Sequence, residues 1–84
     1  MKASSILAAA KAAPRSVTFV DLKRLVTAIG FVLDRHNGDH DIYVRSSVPE
    51  IINLQPRKGD RRMAKPYQVN QVVEIIERYA IEVE

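Results

Sequence analysis

The chain contains no cysteine, only three glycines, and five aromatic residues among its 84. Each scarcity excludes something. Without cysteine there is neither a disulfide framework nor a thiolate zinc site, so secondary structure must build the core unaided. The glycines fit no phosphate-cradling Walker or dinucleotide pattern. No apolar run is long enough to form a transmembrane helix. The few aromatics do not interleave with the basic residues, so any contact with nucleic acid is expected mainly at the backbone rather than by stacking on bases.

What is present is the composition of one small globular domain, 46% hydrophobic and 27% charged. The net charge is +3 and the sequence pI is about 9.5, a mild preference for an anionic partner.

Residues 1–16 read as a flexible N-terminal extension. Lys2 and the short apolar run Ile6 to Ala10 fall short of a signal-peptide core. The alanines favour helix, but no amphipathic stripe is evident, and Pro14 ends the segment. The folded unit is expected over residues 17–84. Thr18 with Asp21 three residues on is a variant capping box, and Phe19, Leu22, Leu25, Val26 and Ile29 recur at helical spacing up to Gly30. Strands follow at Phe31 to His36 and His40 to Arg45, with Phe31, Leu33, Ile42 and Val44 on the buried face. A loop is expected over Ser46 to Glu50 and a third strand at Ile51 to Gln55, fenced by Pro49 and Pro56. Arg57 to Lys65 reads as a basic loop. A second helix begins at Pro66 and runs to about Tyr79, burying Val69, Val72, Val73, Ile76 and Tyr79, with Gln68, Gln71, Glu74 and Glu77 on its wet face. The expected architecture is therefore α+β, a two-layer sandwich in the order α-β-β-β-α, with the connectivity of a double-stranded-RNA-binding domain.

Side chains capable of chemistry cluster from Asp34 to Asp41. Asn37-Gly38 between alternating hydrophobics is a hairpin signal of the type I′ kind. A two-residue loop there sets His36 opposite Asp39, Arg35 opposite His40, and Asp34 opposite Asp41. A longer loop with a bulge would relieve that last, like-charged pair. His40, just past the turn, can take and give protons near neutral pH. In RNA the substrate carries its own nucleophile, the 2′-hydroxyl, so one imidazole with cations on the phosphate suffices for cleavage. Carboxylates and imidazoles are also metal ligands, but no ligand spacing supports a metal site, and no cofactor is expected. Cations leading into a helix N-terminus make the basic loop a candidate phosphate site.

Four blocks taken together resemble the HicA family of toxins from bacterial HicA–HicB toxin–antitoxin modules. They are Gly30-Phe31-Val32-Leu33-Asp34-Arg35, Gly38-Asp39-His40-Asp41-Ile42-Tyr43, Pro49-Glu50-Ile51-Ile52-Asn53-Leu54-Gln55 and Ala64-Lys65-Pro66-Tyr67-Gln68-Val69. The resemblance covers roughly residues 17–81 and implies a double-stranded-RNA-binding-like fold. It implies a cytoplasmic mRNA interferase, a metal-independent endoribonuclease that acts on mRNA and is restrained by a HicB-like antitoxin. His40 takes the position of the catalytic histidine, and His36 inherits no role. Gly38 and Asp39 support the turn, and Arg61, Arg62 and Lys65 are expected to hold phosphate. The family usually reads Gly-Ser-His where this chain has Gly38-Asp39-His40, and a carboxylate there repels the scissile phosphate. The alternative reading is a module on the same fold that binds RNA or antitoxin without cleaving.

Overall fold

The computed structural model describes residues 1–84. Its elements run α1 (Ala3–Ala12), a 3-10 turn (Pro14–Ser16), α2 (Phe19–Ala28), β1 (Val32–Asn37), β2 (His40–Arg45), β3 (Val48–Leu54), β4 (Pro56–Arg57), β5 (Asp60–Ala64) and α3 (Pro66–Arg78). The class is α+β: a three-stranded antiparallel sheet in the order β1-β2-β3, and a separate β4-β5 hairpin.

The first long helix forms as its sequence punctuation dictates. The Thr18 hydroxyl accepts the Asp21 amide at 3.1 Å, which caps the N-terminus of α2. At the other end Gly30 N–H donates to Thr27 and Phe31 N–H to Val26, a Schellman closure that requires positive φ at Gly30. Phe19, Leu22, Leu25, Val26 and Ile29 are all buried. The C-terminus of α3 closes identically, with Ala80 N–H to Glu77 and Ile81 N–H to Ile76. There the left-handed position is held by Ala80, at φ +48°.

The structure departs from several of these expectations. The N-terminal segment is no loose extension. Ala3, Ile6, Leu7 and Ala10 form one stripe of α1, and Ile6 and Ala10 are fully enclosed in the common core. Alanines hide such a stripe because they are small enough to occur on either face, while here they permit close helix approach. Further ties hold the segment: Ser4 N–H donates to the Glu84 carbonyl at 2.9 Å, and Arg57 Nη2 donates to the Arg15 carbonyl at 2.7 Å.

The turn sits one residue beyond the Asn37-Gly38 expectation, so His40 faces Asn37 rather than Arg35. Asn37 pairs with His40 and His36 with Asp41, so the two turn residues are Gly38 and Asp39. Positive φ occurs only at Gly38, the first of them, which is the type II′ pattern. A bulge at Asp34 absorbs the slip and removes the Asp34–Asp41 opposition. The buried face of β2 is also the other one from that expected. Tyr43, Ile52 and Leu54 are buried under the helices, whereas Leu33 is exposed and Ile42 and Val44 lie on the opposite, open face. Strand β1 is exposed along its whole length as the edge of the sheet.

Between β2 and β3 the connection is only Ser46-Ser47, since β3 already begins at Val48, and the register shifts between the Tyr43–Ile52 and Arg45–Val48 pairs. The basic stretch is a hairpin rather than a loop. Lys58-Gly59 turns it, Pro56 pairs with Ala64, and the Ala64 amide donates to the Val17 carbonyl. Its charges concealed a strand that is tolerable because it is short and lies near a sheet edge. In α3 the buried face is Gln68, Val69, Val72, Ile75 and Ile76. Gln68 was expected on the wet face but is 4% exposed, and Tyr79 keeps its ring at the rim.

Candidate active site at the hairpin end

The corrected register places His40 as the first residue of β2, with Asp39 in the turn beside it. The neighbouring end of β3 supplies Asn53, and Gln55 follows in the one-residue gap before β4. His40 Nδ1 lies 3.0 Å from Asn53 Oδ1. With the amide oxygen as acceptor, Nδ1 carries the ring proton, and neutral His40 keeps its lone pair on Nε2. The imidazole is thus oriented by a second group and partly open to solvent, as a general base must be.

Asp39 connects this histidine to the cations. Its Oδ1 accepts from Gln55 Nε2 at 3.2 Å, and its Oδ2 lies 3.4 Å from Arg61 Nη1. His40 Nε2 is 3.9 Å from Oδ1. Desolvation pushes the Asp39 carboxyl upward, but the hydrogen bonds from Gln55, its own backbone and Arg61, together with the Arg61 charge, outweigh it. The net effect holds Asp39 below the usual carboxylate range. Gln55 continues the chain of contacts, accepting from Lys65 Nζ at 2.6 Å. Lys65 is the N-cap residue of α3, a terminus with no side-chain cap and no acidic residue in its first turn.

Gln55 is held in turn by Gln68. The Gln55 N–H has no strand partner in the gap between β3 and β4, and Gln68 Oε1 accepts from it at 3.0 Å. A buried amide therefore stands in for a strand. Tyr67 sits alongside, 63% exposed, with Lys65 Nζ 6.0 Å from the centre of its ring. It provides an aromatic surface beside the cations, where the sequence offered no aromatic interleaving.

The fold thus brings together His40, Asp39, Arg61 and Lys65, on the turn that Gly38 makes possible. It does not bring Arg62. Successive strand residues alternate faces, so Arg62 shares the Asp60 side of β5 and pairs with it at 3.5 Å, away from Arg61. His36 is likewise on the other side of the hairpin. Its Nδ1 bonds Asp41, whose second oxygen is 3.8 Å from Lys23 on α2. No group of three or more histidine, aspartate or glutamate side chains is placed to hold a metal ion. Asn53, Gln55 and Gln68 escaped sequence reasoning because neutral amides carry no spacing signature, and only the paired strands reveal them.

No protein-family model, curated protein or solved structure matches the chain.

Proposed function

We propose that the protein is an RNA-cleaving toxin of the HicA type, a metal-independent endoribonuclease working in the cytoplasm under a HicB-like antitoxin. The succession from α2 through the three-stranded sheet to α3 is read as double-stranded-RNA-binding-like, with the β4-β5 hairpin inserted before the last helix. The observation that carries the proposal is the network that joins His40 to Arg61 and Lys65 through Asp39 and Gln55.

In this reading His40 Nε2 takes the proton of an RNA 2′-hydroxyl. The 2′-oxygen attacks the adjacent phosphorus, the bond to the 5′-oxygen breaks, and that oxygen leaves with a proton from water. The products are a 2′,3′-cyclic phosphate and a 5′-hydroxyl, and the imidazolium returns its proton to solvent. Arg61 and Lys65 offset the charge that builds on the phosphoryl oxygens. Tyr67 offers a face to an unpaired base, which favours single-stranded mRNA. An antitoxin covering the hairpin end would silence all of these groups at once.

A binding module without catalysis is the second reading, and the observation in its favour is Asp39, a fixed negative charge beside the base. Induced expression in a bacterial host separates the two. The toxin reading expects growth arrest that His40→Ala cancels, while arrest that survives the substitution assigns the effect to binding.

A further inference from the structure

The donors around Asp39 are those a phosphate group needs. A planar amide donates to one oxygen at 3.2 Å and a guanidinium approaches the other at 3.4 Å, while the imidazole Nε2, which carries the lone pair and does not donate, stands 3.9 Å away. Behind the amide, Lys65 fixes its orientation through Gln55 Oε1. This is an oxyanion seat built from β2, the β3–β4 gap and β5, and a carboxylate from the chain itself sits in it. A scissile phosphate within reach of His40 Nε2 must come within a few ångströms of that carboxylate, where two anions repel.

We propose that Asp39 is an internal competitor: its carboxylate fills the seat of the RNA phosphate and must swing away before RNA binds productively. The inference rests on the RNA-cleaving reading above, and it adds a restraint built into the site itself. Movement of the carboxylate is simple, because Asp39 is the second residue of a two-residue turn and part of its side chain already faces solvent. The depressed pKa of Asp39 agrees with a seat that prefers an anion. Arg61 is the cation released when the carboxylate leaves, and it has no other acidic partner within ion-pair distance.

The test uses the purified full chain, Asp39→Ser and Asp39→Asn, each first checked for an unchanged melting transition. Serine and asparagine both suit a tight turn. Binding is measured on a fully 2′-O-methylated oligoribonucleotide, which lacks the nucleophile, and cleavage on its unmethylated counterpart. Freeing Arg61 lets one more counterion leave on binding. The affinity of both variants is therefore expected to rise about fivefold at 0.1 M salt, with the salt slope steeper by about 0.7. In an Arg61→Ala background the gain should vanish. Unchanged or weaker binding by the variants, while the parent still cleaves, overturns the competitor role and leaves the nuclease reading intact. Tighter binding without cleavage by any variant keeps the competitor role and removes the nuclease reading. If no variant binds the oligonucleotide, both are wrong.

Discussion

At the scale of single residues, two positions show how backbone and chemistry trade against each other. Gly38 faces open space, so a β-carbon there would clash with nothing, yet its φ of +64° is one that side chains disfavour. The turn that delivers Asp39 and His40 depends on conformational freedom, not on room. Ala80 occupies the same region of backbone space without that freedom. Removing its β-carbon relieves about 1–2 kcal/mol of steric cost and gives back about 0.5–1 kcal/mol in chain entropy. Ala80→Gly is therefore expected to stabilise the protein by about 0.5–1 kcal/mol, or several degrees in melting temperature. A lower melting temperature would mean that the closure of α3 does not persist in solution.

Glu50 contributes to the acid sensitivity of the fold. Tyr79 donates to its Oε1 at 2.6 Å and Arg78 to its Oε2 at 2.5 Å, tying β3 to the end of α3. The Tyr79 hydrogen bond is the chief cause of a Glu50 pKa below 4.5. Desolvation opposes it, and the Arg78 hydrogen bond and charge assist. A carboxylate with a lowered folded-state pKa stabilises the fold above its unfolded value and loses that contribution as the pH falls. Melting temperature should therefore decline on acidification below pH 4.5, and Glu50→Gln should flatten part of that decline. Equal slopes for parent and variant would show that other carboxylates set the acid limit. The Tyr79 hydroxyl, raised above 10 chiefly by its bond to Glu50, extends the argument to the alkaline side. Its stabilisation is complete below pH 10 and fades as the pH climbs through the raised value.

Among the elements, α2 was legible in the sequence from end to end. Thr18 and Gly30 are local signals whose chemistry acts within one turn of chain, and five apolar residues fall at one spacing between them. The elements that were not legible owe their existence to partners far away. Helix α1 is held by α2, α3 and the C-terminal carbonyl of Glu84, none of which a local reading of alanines can supply. Strand β5 is held by the Val17 carbonyl and by Pro56, against its own charged composition. The hairpin lies between these cases. Its existence was evident from Asn37-Gly38, but the bulge at Asp34 decided the register. Because α1 contributes Ile6 to the core, Ile6→Ala should cost about 2 kcal/mol, at the low end for a buried aliphatic since the helix is terminal. Denaturant unfolding measures this directly, and a cost near zero would return residues 1–16 to the status of a loose tail.

On the whole molecule, the two ends have different work. The end with Glu50, Arg78 and Tyr79 ties the sheet to the last helix through the Arg78–Glu50 ion pair and the Tyr79–Glu50 hydrogen bond. The other end gathers a histidine, two cations and a carboxylate on strand ends and turns, where side chains reach solvent without disturbing the core. Of that site, His40 and the cations Arg61 and Lys65 were readable as residues. What joins them was not, because Asn53, Gln55 and Gln68 acquire their roles only when β3 and α3 are packed. The net charge of +3 suits a polyanion approaching that end.

In the proposed function, this end of the molecule cuts RNA through the substrate's own 2′-hydroxyl, with His40 as base. The most direct measurement incubates the purified protein with an end-labelled RNA and determines the chemistry of the new termini, beside folded His40→Ala and with a chelator present. The parent is expected to leave 2′,3′-cyclic phosphate and 5′-hydroxyl ends, undiminished by the chelator, and the variant to cleave nothing. Cleavage by folded His40→Ala at the parental rate, or 5′-phosphate ends, would contradict the proposed function.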